Sequence, residues 1–250
     1  MQKPRIFTCL LAGALLLACL GLFVGCGGRI TYENADAYTA GALRTNEKIT
    51  AIEIYWEGGE VFLKSTISSD LFALEDTDVT KAPPKMCHCI ENGVLRIYPC
   101  PSGERVNVEK DLSLILPYDY ADTLESVRIT ARGESPVILE GVTVKTIVVD
   151  ADEAPVTLKG KLGDVAVTTT SGDLHIEAQR AEKISFSSDK GNASLSLQTN
   201  GFVAVNAGKG ELTTEFDAHR DGNAYRYGNQ SLAMIFDTRG NVALKAYKPK

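Results

Sequence analysis

Four residues in the first half of the chain have side chains that could bind a metal ion or form a disulfide. Cys87, His88 and Cys89 are consecutive, and Cys100 follows eleven residues later. On a strand, Cys87 and Cys89 share one face while His88 takes the other, so the three cannot surround one tetrahedral ion. We therefore expect no metal or cofactor here. In an exported protein we expect one disulfide, from Cys100 to either Cys87 or Cys89.

Two further residues have types that could support catalysis or calcium binding. His175 lies between the apolar Leu174 and Ile176 and is expected to point outward, with no charged side chain at its level to share acid–base work. Asp173 follows Gly172 as in calcium-binding repeats, but the glycine pattern of those repeats is missing. We assign no catalytic residue and no metal site. A carbohydrate-active enzyme, a polysaccharide lyase or hydrolase on a β-helix scaffold, stays as the alternative.

The elements that carry these residues repeat along the chain. Apolar residues two positions apart flank short turns at 135, 154, 172, 191 and 210, which are 19, 18, 19 and 19 residues apart, and a last copy turns at 240. Alternation of period two indicates strands, and a fixed period near 20 indicates stacked units with a shared core. The sequence predicts an all-β fold, a parallel β-solenoid of about 19-residue, two-strand rungs. A sandwich of antiparallel strands has no reason to keep this period.

Stacking of the rungs in chain order predicts which side chains lie together. Inward residues should form columns, one of which contains Val149, Val167, Phe186 and Val205. The residues one position earlier should form an outward stripe of small uncharged side chains, which is a possible interaction surface: Val148, Ala166, Ser185 and Ala204.

Two segments interrupt the repeat. Asn92-Gly93 separates two apolar stretches and predicts an antiparallel hairpin over residues 86–98, near the N-terminal end of the stack. An insertion at about 216–230 is either a recognition loop or a cap on the last rung. The side chains of this insertion that could take part in an interaction are His219, Arg220, Tyr225 and Arg226.

The N-terminal residues predict export. Lys3 and Arg5 precede an apolar run that ends at Gly25, as in a bacterial signal peptide. The following Cys26 stands where a lipoprotein signal has its acylated cysteine, with Cys19 as the alternative and an uncleaved membrane helix as a second one. We expect a signal peptide at 1–26, a polar tether at 27–48 and one solenoid domain at 49–250. The protein would then be extracytoplasmic and held at the bacterial envelope by a lipid anchor.

The charge of the exported part disfavours one class of partner. Without residues 1–26 the chain keeps 24 basic and 32 acidic side chains, a net charge of −8. A nucleic acid is therefore not expected as a partner, because binding to phosphates needs a basic surface.

Several short stretches resemble one bacterial family. They are Tyr38 to Gly41, Ile52 to Trp56, Gly59 to Val61, Lys110 to Leu112, Leu116-Pro117, Ser171 to Leu174, Tyr227 to Asn229 and Thr238 to Val242. In their order the chain resembles the putative-adhesin family of β-strand-repeat domains of unknown function, common on surface lipoproteins. The resemblance implies a β-helix-like fold, a role at the envelope and no catalytic residues. We expect a non-enzymatic surface protein whose rigid solenoid binds an envelope protein or glycan, in adhesion, envelope organisation or stress sensing.

Overall fold

The computed structural model describes residues 28–77, 83–118 and 124–248. The predicted signal peptide and both candidate acylation sites, Cys19 and Cys26, lie outside these residues. The described ranges contain no helix of the length and hydrophobicity that crossing a membrane requires. They contain a short 3-10 helix at Ala35–Ala37 and twenty strands. The strands are β1 Thr39–Ala40, β2 Leu43–Thr45, β3 Ala51–Glu57, β4 Val61–Thr66, β5 Leu71–Asp76, β6 Cys87–Glu91, β7 Val94–Tyr98, β8 Asp111–Pro117, β9 Ser126–Arg132, β10 Val137–Ala151, β11 Val156–Thr169, β12 Leu174–Arg180, β13 Lys183–Ser188, β14 Ala193–Leu197, β15 Gly201–Asn206, β16 Leu212–Thr214, β17 His219–Asp221, β18 Ala224–Gly228, β19 Leu232–Thr238 and β20 Val242–Ala246.

The strands wind into two connected sheets, and each rung contributes one strand to each. The front sheet pairs β7, β3, β9, β10, β11, β13, β19 and β15 in parallel, in that spatial order. The back sheet pairs β8, β4, β10, β11, β12, β14, β20 and β16 in parallel. Strands β10 and β11 take part in both sheets, with register shifts near Gly141 and Gly160. The predicted parallel β-solenoid is confirmed.

The order of the last rungs differs from the chain order. Strand β19 lies between β13 and β15, because Phe186 pairs with Phe236 and Phe236 pairs in turn with Asn206. Strand β20 lies in the same way between β14 and β16. The prediction that rungs stack in chain order is therefore wrong here. The inserted segment before β19 is long enough to lead the chain back past the β15–β16 rung.

The main apolar cluster of the core runs through the whole stack. The column that contains Val149, Val167 and Phe186 continues with Phe236, which is fully buried. Val205 was predicted to complete this column, but it is only half-buried. Phe202 and Ala204 face the core of that rung instead.

The turns between the two sheets stack closely. Thr169, Ser188 and Thr238 are buried polar residues at equivalent positions of neighbouring strands. Their hydroxyls form hydrogen bonds with the backbone of the turns. Ser188 Oγ accepts a hydrogen bond from the Gly191 amide at 2.8 Å, and Thr238 Oγ1 donates one to the Gly191 carbonyl at 2.6 Å. The rungs therefore meet at the turns through backbone and hydroxyl contacts, which leave no room for larger side chains.

The N-terminal end is closed by antiparallel elements. Strands β6 and β7 form the predicted hairpin around Asn92 and Gly93, whose φ values of 53° and 76° fit a type I′ turn. Residues 28–48, most of the segment predicted to be a tether, bond to the domain. The Ile30 amide donates to the Glu104 carbonyl at 2.8 Å, and β1 and β2 pair with β6 and β5. Ile30 is buried, and this apolar contact is why the segment folds onto the domain.

Candidate interaction face

The outer surface of the front sheet, here called the front face, carries the predicted stripe of small side chains. Val148, Ala166 and Ser185 are in register on three adjacent strands. The row continues to Ile235 on β19 and to Val205 on β15. We call these five residues the outer stripe. Ile235 is 40% exposed, so the stripe offers apolar surface to solvent.

Ala204 does not belong to the outer stripe. It was predicted to point outward, but it is fully buried. Strand β15 is turned by one residue relative to that expectation, because Phe202 faces the core and packs against Phe216 and Tyr227 at centroid distances of 5.2 and 5.6 Å. Burial of the large Phe202 ring outweighs that of the smaller Val203 beside it.

A row of polar side chains runs parallel to the outer stripe, two residues further along each strand. Its members are Asp150, Thr168, Ser187 and Asp237, which are in register and exposed. We call these four residues the polar row. Sequence reasoning missed it as a continuous feature, because the place of β19 beside β13 brings Asp237 next to Ser187.

The polar row forms one wall of a groove of about 470 Å³. The turn residues on the other side of this groove are Asp152, Thr170, Asp189, Lys209 and Arg239. The groove therefore crosses five rungs, and each rung supplies similar positions to it. A groove of this kind presents hydrogen-bonding groups at regular intervals.

Two carboxylates of the groove are held by one arginine. The Arg132 guanidinium donates to Asp150 Oδ2 at 3.0 Å and to Asp152 Oδ1 at 3.1 Å. Burial by itself disfavours the charged form of Arg132, but the hydrogen bond and charge of Asp150 and the charge of Asp152 outweigh it and raise its pKa. These two carboxylates are thus fixed in place and partly neutralised.

The insertion forms a hairpin that extends the front sheet beyond β15. Strands β17 and β18 pair antiparallel, and β18 pairs with β15. His219 lies opposite Arg226, whereas Arg220 lies opposite Tyr225 with its guanidinium carbon 5.5 Å from the ring centroid. Directly opposite residues share a face, so these four predicted interaction residues fall into two pairs.

The inner side of this hairpin closes the stack. Tyr225 and Tyr227 pack against the core cluster, as does Phe216 just before β17. This arrangement favours the cap over the recognition loop. His219 and Arg226 stay exposed beside β15, at the margin of the front face.

The predicted disulfide between Cys100 and Cys87 or Cys89 is not formed in the structure. Cys87, Cys89 and Cys100 are free thiols in the structure, with Cys87 and Cys100 buried. The Tyr32 hydroxyl donates to the Cys100 carbonyl at 3.2 Å and also interacts with the Cys87 thiol, so it stands beside both residues. Burial raises the pKa of Cys100 to about 11. Among the described residues no group of three His, Cys, Asp or Glu side chains is placed to hold a metal ion.

His175 has a carboxylate neighbour on its own strand. His175 Nε2 lies 3.0 Å from Glu177 Oε1 on the outer surface of the back sheet. Glu177 lies two residues further along the same strand and so shares a face with His175, whereas the expectation considered only the neighbours at the level of His175. Both side chains are more than a third exposed, at 39% and 36%. The neighbours in register with His175 are Thr157 and Ser194, which supply no second acid.

Stacked rungs that present flat sheet faces to solvent place the protein in the class of all-β solenoids. Within this class the chain belongs to the Toastrack DUF4097 family, whose sequence model matches residues 101–230, just over half of the chain. The match confirms the predicted resemblance to a β-strand-repeat family. No curated protein sequence matches the chain.

Three solved structures are distantly similar. A putative cell adhesion protein from Clostridium sporogenes is 10% identical, with 83% of this chain and 100% of that chain covered and a TM-score of 0.44. A putative adhesin from Bacteroides fragilis is 12% identical, with 81% and 96% covered and a TM-score of 0.36. A putative lipid binding protein from Parabacteroides distasonis is 12% identical, with 82% and 96% covered and a TM-score of 0.33.

Proposed function

We propose that this protein is a non-enzymatic, lipid-anchored component of the bacterial cell surface that uses its front face as a rigid interaction surface. The proposal is carried by the outer stripe, a row of small or apolar side chains that crosses five adjacent parallel strands. The partner would be an envelope protein or a glycan, and the role would be adhesion, envelope organisation or stress sensing.

The backbone under the outer stripe supports this role. Each strand of the front sheet between β3 and β19 is hydrogen-bonded on both sides, and the inward residues of these strands are fully buried. The outer side chains therefore keep fixed positions without any ligand. Because a preorganised surface loses little conformational freedom on association, even a modest contact area can bind.

The anchor is a separate part of the proposal. Cys26 is four residues before Ile30, which is buried against the domain, so these residues span at most about 14 Å. Acylation of Cys26 would thus hold the N-terminal end of the solenoid close to the membrane. Cys26→Ala should abolish incorporation of labelled palmitate into the full chain. Labelling that persists in this variant and disappears in Cys19→Ala would move the anchor to Cys19.

The interaction face can be tested by site-specific crosslinking in cells. The full chain would carry a photoreactive amino acid in place of Ala166 on the front face, or in place of Thr157 on the back sheet as the matched control. We expect a discrete crosslinked product for position 166 and none for position 157. Equal products at both positions, or none at 166, would contradict the proposal.

The alternative, a carbohydrate-active enzyme, depends on His175 and Glu177. This pair is exposed, and the neighbours in register with His175, Thr157 and Ser194, supply no second acid. We expect the full chain to release no reducing ends from envelope glycans. Release of reducing ends that is lost in His175→Ala would favour the enzyme instead.

A further inference from the structure

We propose that the groove beside the polar row binds an extended, uncharged glycan strand that lies across the rungs. This inference rests on the proposed function, because it assigns a ligand class to the same front face. The glycan assignment rests on three observations: the polar row, the outer stripe, and the groove between the polar row and the turns.

The spacing of the polar row favours a polymer. Thr168 and Ser187 are in register on adjacent strands, with Asp150 on one side and Asp237 on the other. Neighbouring strands of a sheet are about 4.8 Å apart, so hydrogen-bonding groups recur at that interval along the groove. A linear ligand with hydroxyl groups on each of its units can engage several of these groups at once.

In the described part of the chain, three of the four side chains in the polar row make no hydrogen bond within the protein, whereas Asp150 accepts one from Arg132. Within the described residues the side chains of Thr168, Ser187 and Asp237 have no protein hydrogen-bond partner. The hydroxyls one position further along, Thr169 and Ser188, are buried and bind the turns and each other. The fold thus separates hydroxyls that stabilise the stack from hydroxyls that face the groove.

The two rows together match the two surfaces of a sugar. A pyranose ring has C–H groups on its faces and hydroxyls around its edge. The outer stripe offers Ala166 and Ile235 to a ring face, and the polar row beside it offers donors and acceptors to the ring edge. Carboxylates such as Asp237 can accept from two adjacent hydroxyls.

The charges of the groove disfavour ionic ligands. Four aspartates line it, at 150, 152, 189 and 237, together with the cations Lys209 and Arg239. Arg132 adds a third positive charge and holds the first two aspartates. The two other aspartates are balanced by Lys209 and Arg239, so the net charge of the groove is close to zero. An anionic polymer therefore finds no basic surface here, and a cationic peptide finds few unpaired carboxylates.

The test is isothermal titration of the full chain, purified in detergent, with four probes. Cellohexaose and hexa-N-acetylchitohexaose represent uncharged linear glycans, polygalacturonate an anionic one, and hexalysine a cationic peptide. We expect binding of at least one uncharged hexasaccharide. Tighter binding of polygalacturonate or hexalysine than of either hexasaccharide would overturn the proposal.

Matched variants locate the site. Thr168→Val and Ser187→Ala each remove one hydroxyl from the polar row and should weaken binding of the hexasaccharide about 2- to 10-fold, as expected for one hydrogen bond. Thr168→Tyr should block the groove, whereas Thr157→Tyr on the back sheet should leave binding unchanged. Unchanged binding in Thr168→Tyr, with an unchanged melting temperature, would exclude the groove as the site.

The two proposals fail in different ways. Absence of binding to all four probes, with the crosslink at Ala166 retained, would overturn the glycan assignment and leave the interaction face in place. Binding of a hexasaccharide that survives Thr168→Tyr, with no crosslink at Ala166, would overturn both.

Discussion

The position of β19 between β13 and β15 gives a quantitative prediction for Phe236. Stacking in chain order would place Val205 against Phe186, whereas the structure places Phe236 there. Phe236→Ala should therefore disrupt the middle of the core. Val205→Ala should change only a half-buried position on the outer surface.

The sizes of the two effects follow from burial. Phe236 is fully buried, and replacing a buried phenylalanine by alanine costs about 3–5 kcal/mol of the free energy of unfolding. Val205 points outward, so Val205→Ala should cost about 1 kcal/mol or less. Phe186 and Phe236 are in register on adjacent strands and both face the core, so their double replacement should deviate from additivity by about 0.5–3 kcal/mol.

Urea unfolding followed by circular dichroism measures these values for the single and double variants. The pair Phe186→Ala with Val205→Ala serves as the control and should be additive within about 0.5 kcal/mol. Coupling between Phe186 and Val205, together with additivity between Phe186 and Phe236, would refute the rung order described here. A cost for Val205→Ala larger than that for Phe236→Ala would refute it as well.

Three further predictions concern turns, pH and thiols. Gly191→Ala should lower the melting temperature, because an added Cβ would lie 2.1 Å from the Gly172 carbonyl oxygen; an unchanged value would show that the turns can separate. Burial lowers the pKa of His88 below 6.5, so the unfolded chain takes up a proton first and stability should fall as the pH drops below about 6.5. His88→Leu should flatten this dependence in urea unfolding at several pH values, and an equally steep decline would assign it to other groups. Iodoacetamide at about pH 8 should modify the partly exposed Cys89 before the buried Cys100, as read by peptide mass spectrometry. Equal rates would contradict the burial of Cys100, and a mass shift released only by reduction would show the predicted disulfide.

The hairpin and the inner stack were predictable because their signals are local. Asn92-Gly93 adopts the positive φ values that its residue types favour, and the turn follows directly. Val167 and Phe186 alternate with small or polar neighbours at a constant period, so their inward direction could be read without a structure. The outer stripe as far as Ser185 followed from the same alternation.

The candidate site was predictable only in part. Alternation gave the outward direction of Val148, Ala166 and Ser185, but it failed for Ala204. The choice between Phe202 and Val203 as the inward residue depends on the aromatic cap that packs against Phe202. A pattern of period two fits either register of such a strand, and only the contacts of the folded chain select one.

The sequence by itself determined the repeat, because period-two alternation and a constant rung length are properties of neighbouring residues. The tertiary structure alone decided which rung lies beside which. Every rung presents the same kind of apolar face, so rung pairing is set by the best mutual packing and by the length of chain that connects them. That choice places Ile235 and Asp237 of β19 beside Ser185 and Ser187 of β13, and so completes both the outer stripe and the polar row.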